Sequence, residues 1–295
     1  MHKRVRSFMK VKFHPILILL PSLLIIFSVA YGPFLLTIYY STLFYHLYKP
    51  AQLSFRGLAN YALLFTSERF LGSIFKTTLF TILAISLESV LGLAIALLFF
   101  REIPGVRFFR GIVVLPMVIT PVVAALMFRL FLDPLTGPLS YLLSMLGLPS
   151  PEWFGYETAL ITMVMIDAWQ WTPFFFLVFL TGLLGIEKSE LEAAEIDGAS
   201  FFQKLRYIIL PHLKLITLIA LTIRAIDCFK IFDIIFTLTR GGPGRATDVL
   251  SIYIFQQTFE SGLIGVGAAA SIITFAILMA LGNALLRMIS KAGIG

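Results

Sequence analysis

An all-helical integral membrane protein is the fold class this sequence predicts, and three observations predict it. Only 13% of the residues are charged while 59% are hydrophobic, and the mean hydropathy is +0.94. A soluble domain carries roughly 25% charged residues, so this chain has too little charge to cover a water-facing surface. Lipid must be part of its solvent. Second, six segments reach the about 20 predominantly apolar residues that a transmembrane helix requires, near residues 15–39, 73–100, 110–132, 158–184, 212–238 and 264–288. Third, basic residues are unevenly divided between the loops these spans define.

That division sets orientation. Six spans put both termini on one side, with Lys3, Arg4, Arg6, Lys10, Lys12, Arg101, Arg107, Arg110, Lys188, Lys204, Arg206, Lys214, Arg287 and Lys291. The other side holds Lys49, Arg56, Arg69, Lys76, Arg129, Arg240 and Arg245, seven against fourteen. The positive-inside bias predicts both termini in the cytoplasm. The formal charge of +7 is therefore topological information and no sign of nucleic-acid binding. The basic start and apolar run resemble a signal peptide, but roughly 24 apolar residues exceed a typical signal core and no small-x-small cleavage site follows. The first span is predicted to stay.

Between spans one and two, residues 40–72 form the longest outer loop, with Gly57 to Tyr61 and Ser67 to Phe70 predicting a short amphipathic piece along the surface. Residues 133–157 carry Pro134, Gly137, Pro138, Pro149 and Pro151 around an apolar stretch, Leu139 to Leu146, too short to span. Gly241-Gly242-Pro243-Gly244 is a turn cluster that closes span five.

Between spans four and five, residues 187–211 encode two short helices. Ser189 with Glu192, and Ser200 with Gln203, match capping boxes. Gly198 between them suits a left-handed helix terminus. Pro211 lacks an amide donor and either ends the second helix or starts the next. Helix-end chemistry alone leaves this an ordinary surface hairpin or a partner-binding segment.

The catalytic inventory is thin. No G-x-x-x-x-G-K-[ST] phosphate loop occurs, the four histidines have no metal spacing, and no nucleophile stands with a base. The lone Cys228 excludes a disulfide framework and reads as a small buried hydrophobe. Polar groups inside spans are costly and often functional. Span five carries Arg224, Asp227, Lys230 and Asp233 at intervals of three, a spacing that allows pairing on one helix. Such a ladder either fixes packing by mutual neutralisation or forms a hydrophilic wall. Span four adds Asp167, Trp169, Gln170, Trp171 and Thr172. Aromatic faces beside amide and carboxylate groups suit sugar rings, whereas interfacial tryptophans would sit nearer the span ends. Glu88 is an intramembrane carboxylate without an evident partner.

The segment 187–211 resembles the cytoplasmic coupling segment of bacterial and archaeal importer permeases of the ATP-binding-cassette class. Glu192-Ala193-Ala194, Asp197-Gly198-Ala199 and Ile208-Ile209-Leu210-Pro211 stand where that family has its spaced pattern. Gly57-Leu58-x-Asn60-Tyr61, Leu115-Pro116, Pro121-Val122-Val123, Trp169-x-x-Thr172-Pro173-Phe174, Phe229 to Asp233 and Leu238 to Pro243 resemble its carbohydrate branch, the first permease of the maltose and trehalose type. Lys76 departs from that pattern, where relatives often have Asn, and the large outer insertion of some maltose permeases is missing.

The resemblance implies one permease domain over 1–295 with six transmembrane helices, in the plasma membrane of a bacterium or archaeon. It implies a second homologous permease, a cytoplasmic ATPase dimer and an extracytoplasmic substrate-binding protein as partners. The chain would be no enzyme and bind no cofactor, with ATP and Mg on the partner ATPase. Glu192, Ala193, Ala194, Asp197, Gly198, Leu210 and Pro211 would couple to that ATPase. Asp167, Trp169, Trp171, Thr172, Arg224, Asp227, Lys230 and Asp233 would line the path of a carbohydrate such as trehalose or maltose. Glycerol-3-phosphate or a polyol is the alternative cargo. An ion-coupled secondary transporter would more often show inverted repeats with broken helices, and an intramembrane enzyme would need a nucleophile or metal constellation.

Overall fold

The computed structural model describes residues 15–100 and 104–292. Lys3, Arg4, Arg6, Lys10, Lys12 and Arg101, which contribute to the predicted orientation, lie outside the described residues. The described residues are mostly helical. The helices are α1 Pro15–Ser41, α2 Ala59–Thr66, α3 Glu68–Phe100, α4 Val106–Val118, α5 Pro121–Phe131, α6 Pro138–Met145, α7 Ala159–Leu184, α8 Lys188–Ile196, α9 Phe201–Lys204, α10 Leu210–Cys228, α11 Asp233–Leu238, α12 Leu250–Phe255 and α13 Ile264–Ala292. The only strands among the described residues are a two-residue hairpin in the first outer loop, β1 Leu43–Phe44 against β2 Ser54–Phe55.

Four helices are long and apolar enough to cross a membrane: α1, α3, α7 and α13. The predicted third span is broken. Its halves α4 and α5 meet at 97°, because Pro121 biases Thr120 toward extended backbone, at ψ 143°. The predicted fifth span is broken as well, ending as α10 at Cys228 and resuming as α11 at Asp233. Unpaired backbone groups are costly away from water, so non-helical backbone at membrane depth needs internal partners. Both breaks have one. Gln170 of α7 donates through Nε2 to the Ile119 carbonyl at 2.6 Å, and the Ser251 hydroxyl of α12 donates to the Ile231 carbonyl.

The core forms around α7, of whose most apolar window 67% is buried, against 0% for α1. Phe175, Phe176, Phe179 and Leu183 of α7 pack with Ala96 of α3 and with Leu213 and Ala220 of α10. A Cβ on Gly92 of α3 would lie 2.5 Å from Phe175 Cβ, so only glycine permits this crossing; small residues let membrane helices approach closely. Helix α1 packs on α13 and leaves Leu23, Leu24, Ile25, Ile26 and Phe27 exposed. Bare apolar side chains of that kind fit a lipid-facing helix.

Between α7 and α10 lies the hairpin of α8 and α9. Gly198 takes φ +75°, the left-handed conformation expected of it. Ser200 and Gln203 form their capping box, with Ser200 N–H donating to Gln203 Oε1 at 2.7 Å and Gln203 N–H to Ser200 Oγ at 3.4 Å. The first predicted box does not form. Helix α8 starts at Lys188 with Glu187 as its N-cap, which puts Ser189 inside the helix, its hydroxyl on Glu187 at 3.3 Å. Of the two alternatives for Pro211, the second holds: it stands in the first turn of α10, where its missing amide donor is not needed. A π-helical turn over Leu205–Ile209 carries α9 into α10, with Leu210 N–H reaching back to the Leu205 carbonyl. A widened turn accommodates a proline whose ring would crowd the preceding turn.

Candidate functional site

Three helices supply the central charges. Each charge was placed by sequence within an apolar run, and folding brings them together because a lone charge there is expensive. Arg224 of α10 is the hub. Its Nε donates to Glu88 Oε2 at 2.8 Å and its Nη2 to Glu88 Oε1 at 2.6 Å, a fork-to-fork pair with α3. Nη2 also meets Asp167 Oδ2 of α7 at 2.7 Å, and Nη1 meets Asp227 Oδ2 one turn along α10 at 2.7 Å. The guanidinium carbon lies 4.7 Å from the centre of the Trp171 ring, within cation–π range. Arg224 and Glu88 side chains are 2% and 0% exposed, whereas Asp227 is 48% exposed. The planar guanidinium can serve three carboxylates at once, which an ammonium cannot do with the same geometry.

The span-five ladder therefore survives only in part. Arg224 pairs with Asp227 as its spacing predicts, but its principal partners come from α3 and α7. Lys230 Nζ stands 4.0 Å from Asp227 Oδ1 with its side chain 58% exposed, at the limit of an ion pair. Asp233 lies beyond the helix break, in the first turn of α11. The break interrupts the three-residue spacing on which a continuous ladder depends.

Beside the hub opens a cleft of about 280 Å³, lined by Pro121, Asp167, Trp171, Asp227, Lys230 and Asp233. It holds three carboxylates, one ammonium and one indole face at the meeting point of both helix breaks. Such groups donate and accept hydrogen bonds and stack on an apolar ring face. Trp169 turns elsewhere, its ring 5.1 Å from Phe128 of α5 in an edge-on contact. Thr172 is buried with its hydroxyl unpartnered, as are Asp167 Oδ1 and Gln170 Oε1. Glu88, Asp167 and Cys228 are close enough to hold a metal ion, but the Arg224 guanidinium already sits on both carboxylates.

The second set of predicted residues lies on the hairpin. Glu192, Ala193, Asp197 and Gly198 are exposed and Ala194 is half-buried, while Leu210 and Pro211 are exposed where the π-helical turn meets α10. Lys204 Nζ ties α9 to Glu195 of α8 at 2.7 Å, and His212 Nε2 stands 3.4 Å from Glu190. These contacts brace the hairpin, and neither α8 nor α9 buries a residue. Sequence reasoning missed the Glu88–Arg224 pair, because no local signal links residues 136 positions apart. It also missed the roles of Gln170 and Ile119, although Pro116 and Pro121 flank the break and signal it.

Residues 88–292 match the family described as binding-protein-dependent transport system inner membrane component. The chain is similar to the trehalose/maltose transport system permease protein MalF of Thermococcus litoralis, 38% identical and covering 76% of this chain and 76% of that one. It is also similar to the sn-glycerol-3-phosphate transport system permease protein UgpA of Agrobacterium fabrum, 30% identical over 95% of this chain and 96% of that one. Its fold matches a chain of a bacterial ABC transporter involved in the import of the acidic polysaccharide alginate, with a TM-score of 0.80, 23% identity and coverage of 93% and 94%.

Proposed function

The chain belongs to the family of binding-protein-dependent transport system inner membrane components, as a permease of the carbohydrate-uptake kind, and from that premise we propose that it forms half of the path by which a neutral sugar crosses the membrane. A second, homologous permease supplies the other half. Two ATPase subunits hydrolyse ATP, an external binding protein delivers the sugar, and this chain performs no chemistry of its own. Six spans cross the membrane, two of them broken, with both termini and the α8–α9 hairpin in the cytoplasm.

The observation that carries this reading is the cleft beside Arg224. A buried ion cluster anchors it, and above the cluster Trp171, Asp227 and Lys230 offer a ring face with both hydrogen-bonding polarities. A disaccharide such as trehalose or maltose presents matching C–H faces and hydroxyls. Glycerol-3-phosphate fits less well, because the Arg224 guanidinium is already held by Asp167 and Asp227 and Lys230 is the single cation among the residues lining the cleft. The hairpin residues Glu192, Ala193, Ala194, Asp197, Gly198, Leu210 and Pro211 take up the ATPase. Closure of the ATPase pair draws the hairpins together and opens the path outward; release after hydrolysis opens it inward.

The test is uptake into proteoliposomes that hold the assembled complex and its binding protein. ATP-dependent accumulation of labelled trehalose or maltose, with none of glycerol-3-phosphate, is the expected result. The opposite preference overturns the neutral-sugar reading, and ATP-independent uptake overturns the importer reading.

A further inference from the structure

At the end of the bundle opposite the α8–α9 hairpin, the loop from Arg240 to Arg245 closes α11 and leads to α12. Four of its six residues are left-handed: Arg240 at φ +50°, Gly241 at +92°, Gly244 at +53° and Arg245 at +68°. Glycine takes that conformation freely, whereas a non-glycine residue there is uncommon and strained. Two arginines are thus held where glycine or asparagine would be easier. The loop is well pinned. Thr247 N–H donates to the Gly241 carbonyl at 3.2 Å, Asp248 N–H to the Arg245 carbonyl at 3.2 Å and Thr247 Oγ1 to the Gly242 carbonyl at 2.9 Å.

Both arginines border a cleft of about 250 Å³ floored by Arg69, Asp248 and Gln256. The floor is internally satisfied: Arg69 Nε meets Asp248 Oδ2 at 2.7 Å, and its Nη2 also donates to Gln256. Asp248 is 3% exposed and committed to Arg69. Among the described residues, neither Arg240 nor Arg245 has an acidic partner, and Arg240 only rests over the Phe236 ring at 5.2 Å. Three arginines against one aspartate leave two positive charges unmatched on a rigid, exposed rim.

We propose that Arg240 and Arg245 are a docking seat for carboxylate side chains on the external substrate-binding protein, an inference that rests on the importer reading given above. The partner's chemistry follows from the patch. Paired guanidiniums on a fixed backbone match planar carboxylates, and rim charges of this kind govern encounter rate and salt dependence. Strain at functional positions persists when the surrounding structure holds it, and here the hydrogen bonds to Gly241, Gly242 and Arg245 carbonyls hold it.

The decisive variant is Arg240→Gly with Arg245→Gly, which removes both charges and relieves the backbone. In proteoliposomes of the assembled complex, the expected result is a roughly three- to tenfold higher binding-protein concentration for half-maximal ATPase stimulation. Basal ATPase should be unchanged and thermal stability unchanged or higher. Arg240→Lys with Arg245→Lys should recover much of the affinity, and high salt should weaken wild type but not the glycine pair. Arg240→Gln with Arg245→Gln serves the same test should the glycine loop disturb assembly. An unchanged half-maximal concentration in a neutral variant overturns the proposal, as does a loss confined to substrate affinity. Wild type that no binding protein stimulates removes the importer reading and this inference with it.

Discussion

Arg224 Nη1 and Asp227 Oδ2 lie 2.7 Å apart within one turn of α10, yet one residue is sealed in the core and the other is half exposed. The pair therefore connects an ion cluster closed to solvent with a cleft open to it. Changes on the two sides should have different consequences.

On the closed side, Arg224→Met leaves Glu88 and Asp167 buried without a cation. Breaking a buried pair costs about 3–5 kcal/mol, so the variant should fail to co-purify with its partners. Arg224→Lys should also be impaired, because an ammonium cannot reproduce the fork-to-fork contact. Glu88→Gln with Arg224→Met should recover part of the assembly. Detergent thermal stability and co-purification yield measure all three, and a stable Arg224→Met chain would refute a structural role for the hub.

On the open side, Lys230→Gln should cost less than about 1 kcal/mol, as expected for an exposed, weakly paired ion. Assembly should remain intact while sugar uptake falls or changes preference. Asp227→Asn should be harsher than Lys230→Gln, since it also loosens Arg224. Adding Lys230→Gln to it should not restore uptake. Full uptake by that double variant with unchanged preference would make both residues structural.

Gly198→Val forces a β-branched residue to φ +75°, at about 1–2 kcal/mol for the left-handed conformation alone. Insertion should survive, because the hairpin lies outside the apolar helices, whereas sugar-stimulated ATP hydrolysis should be lost. Wild-type stimulation in this variant would separate the hairpin from coupling.

Gln170→Leu removes the donor to the Ile119 carbonyl at the α4–α5 break. The Ile119 carbonyl is only part-buried, so losing its donor should cost about 1 kcal/mol, toward the low end for an unmade hydrogen bond, and Gln170→Glu should be at least as damaging because an ionised carboxylate sets an acceptor against an acceptor. Both should lower thermal stability, while Thr181→Ala on the exposed side of the same helix should not.

Orientation is checked by single-cysteine labelling in a Cys228→Ser background. Position 242 should react from outside, and position 198 only after permeabilisation; the reverse pattern would invert the topology.

The mostly helical class, the four long apolar helices, the Ser200–Gln203 box and the left-handed Gly198 were legible because each is written in local chemistry: apolar length, a capping pair, a glycine at a helix end. The Glu88 partner was not, since an ion pair across three helices leaves no local trace. Ser189 matched a capping pattern that Glu187 took over, and the helix began earlier than the pattern implied. The break after Cys228 carried no proline or glycine to announce it. Its only signal was polarity, which equally suited an unbroken ladder.

That break has an electrical consequence. The carbonyl end of α10 carries a partial negative charge and the amide end of α11 a partial positive one, and residues near both ends, Asp227 and Asp233, line the same cleft. Lys230 follows the first end and Asp233 opens the second, so each side chain opposes the sign of the backbone terminus beside it. Only a few residues separate the two ends, so the flanking charges offset the partial charges of both termini. A solute with a strong charge of either sign would find a nearby group to hold it fast. A neutral molecule rich in hydroxyl dipoles can turn among these groups and still be released.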